Sequence, residues 1–283
     1  MSSKNSIIQL DVKQLFKAKN PNLYRILPGF FFRYLKKIAH EEQLNYILKT
    51  HGHKTGIDFL NPTLDYFEAS ADIIGEANFP ETSRIIIAAN HPLGSIDGML
   101  LIKAVYEHYG KAKALVNDML MTLEPLQEFF IGFNKHGSTA RQTIQELNTL
   151  LEKDYPIIYF PSGMVSRKYN GIIEDPEWKK TFINNAEQYE RAVVPMHISG
   201  RLSESFYRKA SIRRFLGIGM NIEMLYLPQE LFKLQKPNLK FTVASPISHK
   251  QFDKSKTAPE WAEEVRKYVY KLAENPQSKF ETD

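Results

Sequence analysis

An α/β fold, with a largely parallel or mixed central sheet flanked by helices, is what the sequence predicts, and three observations predict it. From Ser83 onward, short runs rich in Ile, Val and Tyr alternate with longer segments of helical periodicity. Several of these runs are apolar at nearly every position, as strands covered on both faces are. At 283 residues and 43% hydrophobic content, the chain is long enough to bury a core on both sides of such a sheet. The first 80 residues lack the alternation. The chain therefore divides into a helical segment, 1–80, and an α/β domain, 81–283.

Within the first segment, breaks fall at Asn20-Pro21, at Pro28-Gly29 and around Thr50-His51-Gly52, and Asn61-Pro62-Thr63 suits the start of a helix running to about Ala71. In the domain the expected strands are Arg84–Asn90, Ala112–Asn117, Pro156–Phe160, Val193–Ile198, Ile222–Leu227 and Leu239–Ala244. The expected helices are Asp97–Tyr109, Thr139–Lys153, Trp178–Tyr189 and Trp261–Ala273. Strands separated by helices make parallel neighbours, and ligands of such folds collect beyond the carboxyl ends of the strands. Neither an internal repeat nor a low-complexity segment is visible.

Charge is concentrated at one end. Met1 to His40 carries eight Lys or Arg against the single acid Asp11, more than the whole chain's net +5, so the remainder is close to neutral. Within this arm, Pro28-Gly29-Phe30-Phe31-Phe32-Arg33-Tyr34-Leu35-Lys36-Lys37-Ile38 interleaves rings with cations. On a helix, Phe30, Phe31, Tyr34 and Ile38 share a face that Arg33, Lys36 and Lys37 flank, an arrangement suited to docking on an anionic membrane. Packing of the same rings against the domain is the competing expectation. No nucleic-acid module is apparent, and nucleic acid is not expected as a partner. The absence of cysteine excludes disulfides, thiolate metal sites and a cysteine nucleophile. His51 and His53 have no convincing third ligand, so no metal is expected. Neither a secretory signal nor a membrane-spanning apolar run is seen.

Chemistry concentrates at strand ends. Asn90-His91-Pro92-Leu93-Gly94-Ser95-Ile96-Asp97 turns the first domain strand into a helix. Across such a turn an acid can orient an imidazole and stabilise its protonated form, so that the imidazole removes a proton from an alcohol or amine. Asp97 as a helix cap with His91 at the surface fits the same residues. A second strand empties into Phe160-Pro161-Ser162-Gly163-Met164-Val165-Ser166-Arg167, where backbone amides and Arg167 suit an anionic group, and where a structural turn with a surface Arg fits as well. A third ends in Met196-His197-Ile198-Ser199-Gly200-Arg201. There His197 is expected to be packed and Arg201 to be an anion ligand in competition with Arg208, Arg213 and Arg214. Between these, Phe129-Phe130-Ile131-Gly132-Phe133 suits the wall of an acyl tunnel, with Asn134, Lys135 and His136 at a polar head, although packing alone also accounts for the phenylalanines.

Taken in this order, the segments resemble the glycerolipid acyltransferase superfamily typified by bacterial lysophosphatidic acid acyltransferase. That family carries Asn-His, four residues, then Asp; later a Phe-Pro-Glu-Gly-Thr-Arg-Ser block; then a Val-Pro strand block. Here they correspond to Asn90-His91 with Asp97, to Phe160–Ser166 and to Val194-Pro195, over about Ser83 to Ser248. Two departures are evident. Five residues separate His91 from Asp97, so Ile96 stands at the usual Asp position and a bulge at Gly94 is needed to bring acid to base. Ser162, Met164 and Val165 replace the family's Glu, Thr and Arg. Both departures, with the runs NHPLGSIDGM, FPSGMVSR and HISGRLSESFY, resemble the haemolysin-labelled branch, which includes O-acyltransferases of bacterial ornithine and glycine lipids.

The resemblance implies a membrane-associated O-acyltransferase without a cofactor. The acyl thioester of acyl carrier protein or coenzyme A serves as donor and a lysolipid, of lyso-amino-acid type, as acceptor. It implies His91 as general base and Asp97 as its orienting acid. Amides near Gly94 or Gly163 would form the oxyanion site, and Arg167, Ser162, Gly163, Lys135 and Arg201 would hold the substrate's carboxylate or phosphate. Ser95 is expected to be structural. A cytoplasmic protein peripheral on the inner face of a bacterial membrane follows. The alternatives are a 1-acylglycerol-3-phosphate acyltransferase, an inactive homologue that binds lipid or acyl carrier protein, and a thioester hydrolase.

Overall fold

The computed structural model describes residues 9–19, 21–117, 120–132 and 138–281. The N-terminal segment contains α1 (Val12–Lys19), α2 (Pro21–Ile26), α3 (Gly29–Ile38), α4 (Glu41–His51) and α5 (Gly56–Tyr66), then β1 (Ser70–Ile74). The remainder runs β2 (Ile85–Ala89), α6 (Ile96–Tyr109), β3 (Lys113–Val116), β4 (Phe130–Gly132), α7 (Ser138–Glu152) and β5 (Ile157–Tyr159). A hairpin follows, β6 (Arg167–Tyr169) with β7 (Ile172–Glu174), and then α8 (Thr181–Gln188), β8 (Ala192–Ile198), α9 (Glu204–Phe215), α10 (Leu227–Lys233), β9 (Asn238–Val243) and α11 (Ala258–Glu274).

Seven strands form one sheet in the order β1-β9-β8-β2-β5-β3-β4. Every pairing is parallel except β8 with β9, so the sheet is mixed but mostly parallel. The period-two rule of strands sorts β2 between two cores. Ile85, Ile87 and Ala89 face a layer built on α5, α6 and α9. Ile86 and Ala88 face a second layer built on α7, α8 and α11. Both faces of β2 are therefore dry, which is why its sequence has no polar residue.

The helical 1–80 segment departs from expectation in three places. β1 is a half-exposed parallel edge strand on β9, too polar on one side to show the apolar run of an inner strand. Pro62 lies inside α5, which ends at Tyr66, well short of Ala71. On α3 the buried side chains are Phe32, Leu35 and Ile38, packed with Phe16, Tyr24 and Phe31. Ile38 and Phe31 thus turn toward the fold, Lys36 pairs with Glu41 at 2.8 Å, and Phe30, Arg33, Tyr34 and Lys37 form the outer face. Phe129, Phe130 and Ile131, expected to wall a tunnel, are packed in the cores. Residues 133–137, including Phe133, Asn134, Lys135 and His136, lie outside the described residues.

The expected strand Ile222–Leu227 is a 3-10 turn over Ile222–Tyr226 leading into α10. Pro228 at the first turn of α10 presets helical φ there, and the buried acids Glu223 and Glu230 break the apolar periodicity that a reader looks for. No helix among the described residues is long and apolar enough to cross a membrane.

Candidate active site

β8, β2 and β5 are consecutive parallel neighbours, so their carboxyl ends open onto one edge of the sheet. All three candidate segments leave from that edge. Asn90 closes the end of β2 against β8: its side chain donates to the Ile198 carbonyl at 2.9 Å and accepts from the Ile198 amide at 2.6 Å. The chain then turns through Gly94 at φ +89°, a left-handed conformation that disfavours any side chain. There a Cβ would also come within 2.5 Å of Val165 Cγ1.

That turn absorbs the fifth intervening residue. His91 Nδ1 stands 3.1 Å from Asp97 Oδ2, with Ile96 turned into the core. Asp97 is fully buried near the start of α6, where the helix dipole favours a negative charge. The same Oδ2 accepts from the amides of Leu93 (2.8 Å) and Gly94 (3.2 Å), and Oδ1 from that of Gly98 (2.9 Å). One side chain thus does two things: Asp97 shapes the loop that carries His91 and holds its imidazole. Ser95 occupies the N-cap of α6 without a side-chain cap bond.

Burial opposes the charged form of both partners, and the pair overcomes it. Against desolvation, the charge and hydrogen bond of Asp97, helped by the charge of Asp175, hold the His91 pKa above its ordinary 6.5. Against its own desolvation, the charge and hydrogen bond of His91 and the loop amides hold Asp97 below its ordinary 3.8. With Nδ1 taken by the acid, Nε2 is the nitrogen that can accept a proton from a substrate hydroxyl. The Phe160 ring stacks on the imidazole with centroids 4.0 Å apart, which fixes its plane.

Asp175, which sequence reasoning missed, anchors this unit from behind. It is buried, its two carboxylate oxygens accept from the His91 amide (3.2 Å each), and they also accept from Ser166 Oγ (2.6 Å) and Trp178 Nε1 (3.1 Å). Burial raises its pKa against these hydrogen bonds and the charge of His91. The Ser166 amide donates to the His91 carbonyl at 2.8 Å. Both backbone groups of His91 are therefore held by the segment that follows β5. The one sequence hint was an acid before Pro176 and three residues before Trp178.

The remaining expected site residues are placed as follows. Ser162 Oγ donates to the Met164 carbonyl (2.6 Å), and the Gly163 amide donates to the Phe160 carbonyl (2.9 Å), so both close the turn after β5. The Gly94 amide is engaged by Asp97. The two amides expected to receive an oxyanion are thus occupied by the fold in this structure. Arg167, expected to hold a substrate anion, is buried. It donates to Glu223 (3.0 Å) and the Val165 carbonyl (2.6 Å), bracing the second block against the turn before α10. Burial lowers its pKa while Glu223 raises it, with a net lowering. Arg201 is exposed and paired with Glu204, which also binds Lys168 at 2.9 Å. Beside this group, Lys168, Glu204, Tyr207 and Arg208 line an open cavity of about 490 Å³. His197 is half-buried on β8, and burial with a contribution from Lys240 holds its pKa down to about 4, leaving it neutral. His91, Asp97 and Phe160 stand together; Arg201 and Lys168 form a separate polar cluster around Glu204 at the start of α9.

At this site a buried acid holds a half-buried imidazole over a strand end. A family model described as Acyltransferase matches residues 14–278. A lyso-glycine lipid O-acyltransferase of Bacteroides thetaiotaomicron is 40% identical over 269 residues, covering 95% of this chain and 99% of that protein. A second, from Phocaeicola vulgatus, is 40% identical over 269 residues, covering 95% and 96%. Among solved structures, the 1-acyl-sn-glycerophosphate acyltransferase PlsC of Thermotoga maritima aligns over 95% of this chain and 97% of that one, at 16% identity and a TM-score of 0.48.

Proposed function

The chain belongs to the acyltransferase family, and from that premise we propose that it transfers a fatty acyl group to the hydroxyl of a lyso-glycine lipid or a similar lyso-amino-acid lipid, at the inner surface of a bacterial membrane. The observation that carries this reading is the His91–Asp97 contact in a chain that aligns over nearly the whole length of proteins named for that activity.

In this mechanism Nε2 of His91 accepts the proton of the acceptor hydroxyl as its oxygen attacks the thioester carbonyl carbon. The imidazolium forms against Asp97, which neutralises it in a buried setting where that is worth most. The tetrahedral intermediate then expels the thiolate, and His91 returns its proton to the sulfur. No covalent enzyme intermediate is required. The donor is the acyl thioester of acyl carrier protein or coenzyme A, both of which present the same reacting carbonyl. An amide near Gly163, released from the Phe160 carbonyl, would receive the oxyanion, while that of Gly94 stays with Asp97 as the acid holds His91.

Lipid mass spectrometry of cells lacking the gene, complemented by the wild type or by His91→Ala, tests the reading. The wild type alone restores the diacyl amino-acid lipid, and the mutant cells accumulate its monoacyl precursor. Accumulation of lysophosphatidic acid instead would assign the acceptor to the glycerol-phosphate series. Release of free fatty acid with no acylated lipid would assign a hydrolase.

A further inference from the structure

We propose that the segment from Ile212 to Leu225, the last turn of α9 and the chain leading to α10, inserts into an anionic lipid bilayer and seats the active-site edge of the sheet on its surface. Ile212, Phe215, Leu216, Ile218, Met220 and Leu225 are all exposed, Phe215 at 90%, and residues 215–220 are exposed without a break. Exposed apolar side chains this close together mark an interaction site. A Cβ at Gly217 or Gly219 would meet nothing within 4 Å, so the tip stands clear of the body.

The base of the segment is fixed, which separates it from a loose loop. Arg213 donates to the Ile218 carbonyl at 2.8 Å, and its Nε lies 2.9 Å from Glu223. Glu223 is buried and binds Arg167 as well. Asn221 Nδ2 lies 3.2 Å from Met164 Sδ, and a Cβ on Gly94 would touch Leu227 at 3.2 Å. The segment and the start of α10 thus pack on the turns that carry Ser162 and His91, while the outer side of the segment offers apolar side chains to whatever lies above.

Charge selects the occupant. Between Tyr207 and Leu227 the sole acid is Glu223, which is buried and paired with Arg167 and Arg213, while Arg208, Lys209 and Arg214 precede the apolar tip on α9. Apolar residues with cations beside them suit acyl chains beneath a layer of phosphates. The patch also continues onto α3: Tyr34 Oη lies 3.0 Å from Tyr226 Oη, and Lys209 sits 4.5 Å over the Tyr226 ring. Beyond Tyr34 the outer face of α3 and the end of α2 expose Phe30, Ile26, Arg25, Arg33 and Lys37. Docking would present His91 to lysolipid without the acceptor leaving the membrane. That advantage rests on the function proposed above; the docking itself does not.

Co-sedimentation of the full chain with vesicles tests the assignment, using phosphatidylcholine with phosphatidylglycerol at roughly 3:1 beside phosphatidylcholine alone. The wild type is expected to bind the anionic vesicles. The triple variant Phe215→Ser, Leu216→Ser, Met220→Ser should bind at least about tenfold more weakly, with little change in melting temperature, because these side chains are mostly exposed. Transfer to a short-chain, water-dispersed acceptor should stay within about twofold of wild type, since the tip touches no reacting group. Equal vesicle binding by variant and wild type, or no binding by either, overturns the proposal. So does a wild-type dimer that the variant converts to monomer while vesicle binding persists, because the patch would then belong to a second copy. Normal vesicle binding without transfer to any lyso-amino-acid lipid would instead refute the proposed function and leave the docking in place.

Discussion

Replacing Asp97 by asparagine keeps the shape of a buried side chain that takes four hydrogen bonds and removes its charge. Two orientations are open to the amide. With its oxygen at the Oδ2 position it still accepts from His91, Leu93 and Gly94, and its nitrogen meets one opposing donor, the Gly98 amide. Reversed, it opposes the amides of both Leu93 and Gly94 and forces His91 Nδ1 to become an acceptor. The first is favoured, because each buried donor left facing a donor costs about 1–3 kcal/mol. The imidazole therefore keeps the useful tautomer but loses the charge that stabilises its protonated form. In a buried site no water replaces that charge, and the expected loss is about 3–5 kcal/mol of transition-state stabilisation, roughly 10²–10⁴-fold in kcat. The pH profile supplies the sign. Asp97 raises the His91 pKa, and the proposed proton removal needs the neutral ring, so wild-type activity should climb as pH rises through a value above 6.5. In Asp97→Asn that acid limb moves to lower pH while the plateau falls. Steady-state kinetics across pH check both at once. A variant that keeps more than about a tenth of kcat, or whose acid limb stays in place, refutes the reasoning.

Other changes probe the support of the pair. Asp175→Ala strands the His91 amide, Ser166 Oγ and Trp178 Nε1, so the urea midpoint should drop by the equivalent of about 2–4 kcal/mol and kcat should fall with it; a drop below half a kilocalorie would mean the carboxylate pins nothing. Gly94→Ala adds about 1–3 kcal/mol of backbone strain to a clash with Val165, and should lower kcat at least about tenfold with little change in KM. Arg191, buried and donating to five carbonyls, among them Ile85, Leu151 and Tyr155, closes the end of α7; Arg191→Ala should cost about 3–5 kcal/mol by chemical denaturation with kcat of the folded fraction unchanged. The His91–Asp97 pair also links stability to pH. Asp97, lowered in the fold, contributes above its unfolded value of about 3.9 and loses that contribution as pH falls; His91, raised in the fold, contributes fully below about 6.5 and loses it as pH rises further. The stability gap between wild type and Asp97→Asn, measured in urea at several pH values, should be widest between those limits.

The inner strands were legible because burial on two faces leaves a signal that nothing else produces: Ile85–Ala89, Ile157–Tyr159 and Ala192–Ile198 lie close to where the apolar runs put them. Helix α9 was not, because its inward side chains Phe206, Tyr207 and Ala210 share the sequence with outward Ile212 and Phe215, and no single apolar stripe survives. The edge strand β1 and the hairpin of β6 and β7 are short and half-exposed, so neither periodicity dominates. At the site, His91 and Asp97 were named by motif, but their contact depends on the left-handed turn at Gly94, and only backbone geometry shows that five residues can close it. Arg167 was mistaken in its surroundings: a cation in a Gly-containing loop looks available until its buried partner, Glu223, fifty-six residues away, is known. Asp175 had only a faint local pattern, because Trp178 is three residues on while Ser166 is nine and His91 eighty-four residues away.

Single-turnover transfer by the purified protein tests the central claim most directly, with an acyl carrier protein thioester as donor and a lyso-glycine lipid as acceptor. The account predicts a diacyl glycine lipid formed in step with thiol release, and a rate reduced by about 10²–10⁴-fold or more in His91→Ala. Thiol release at the wild-type rate in His91→Ala, with the same lipid product, would contradict it.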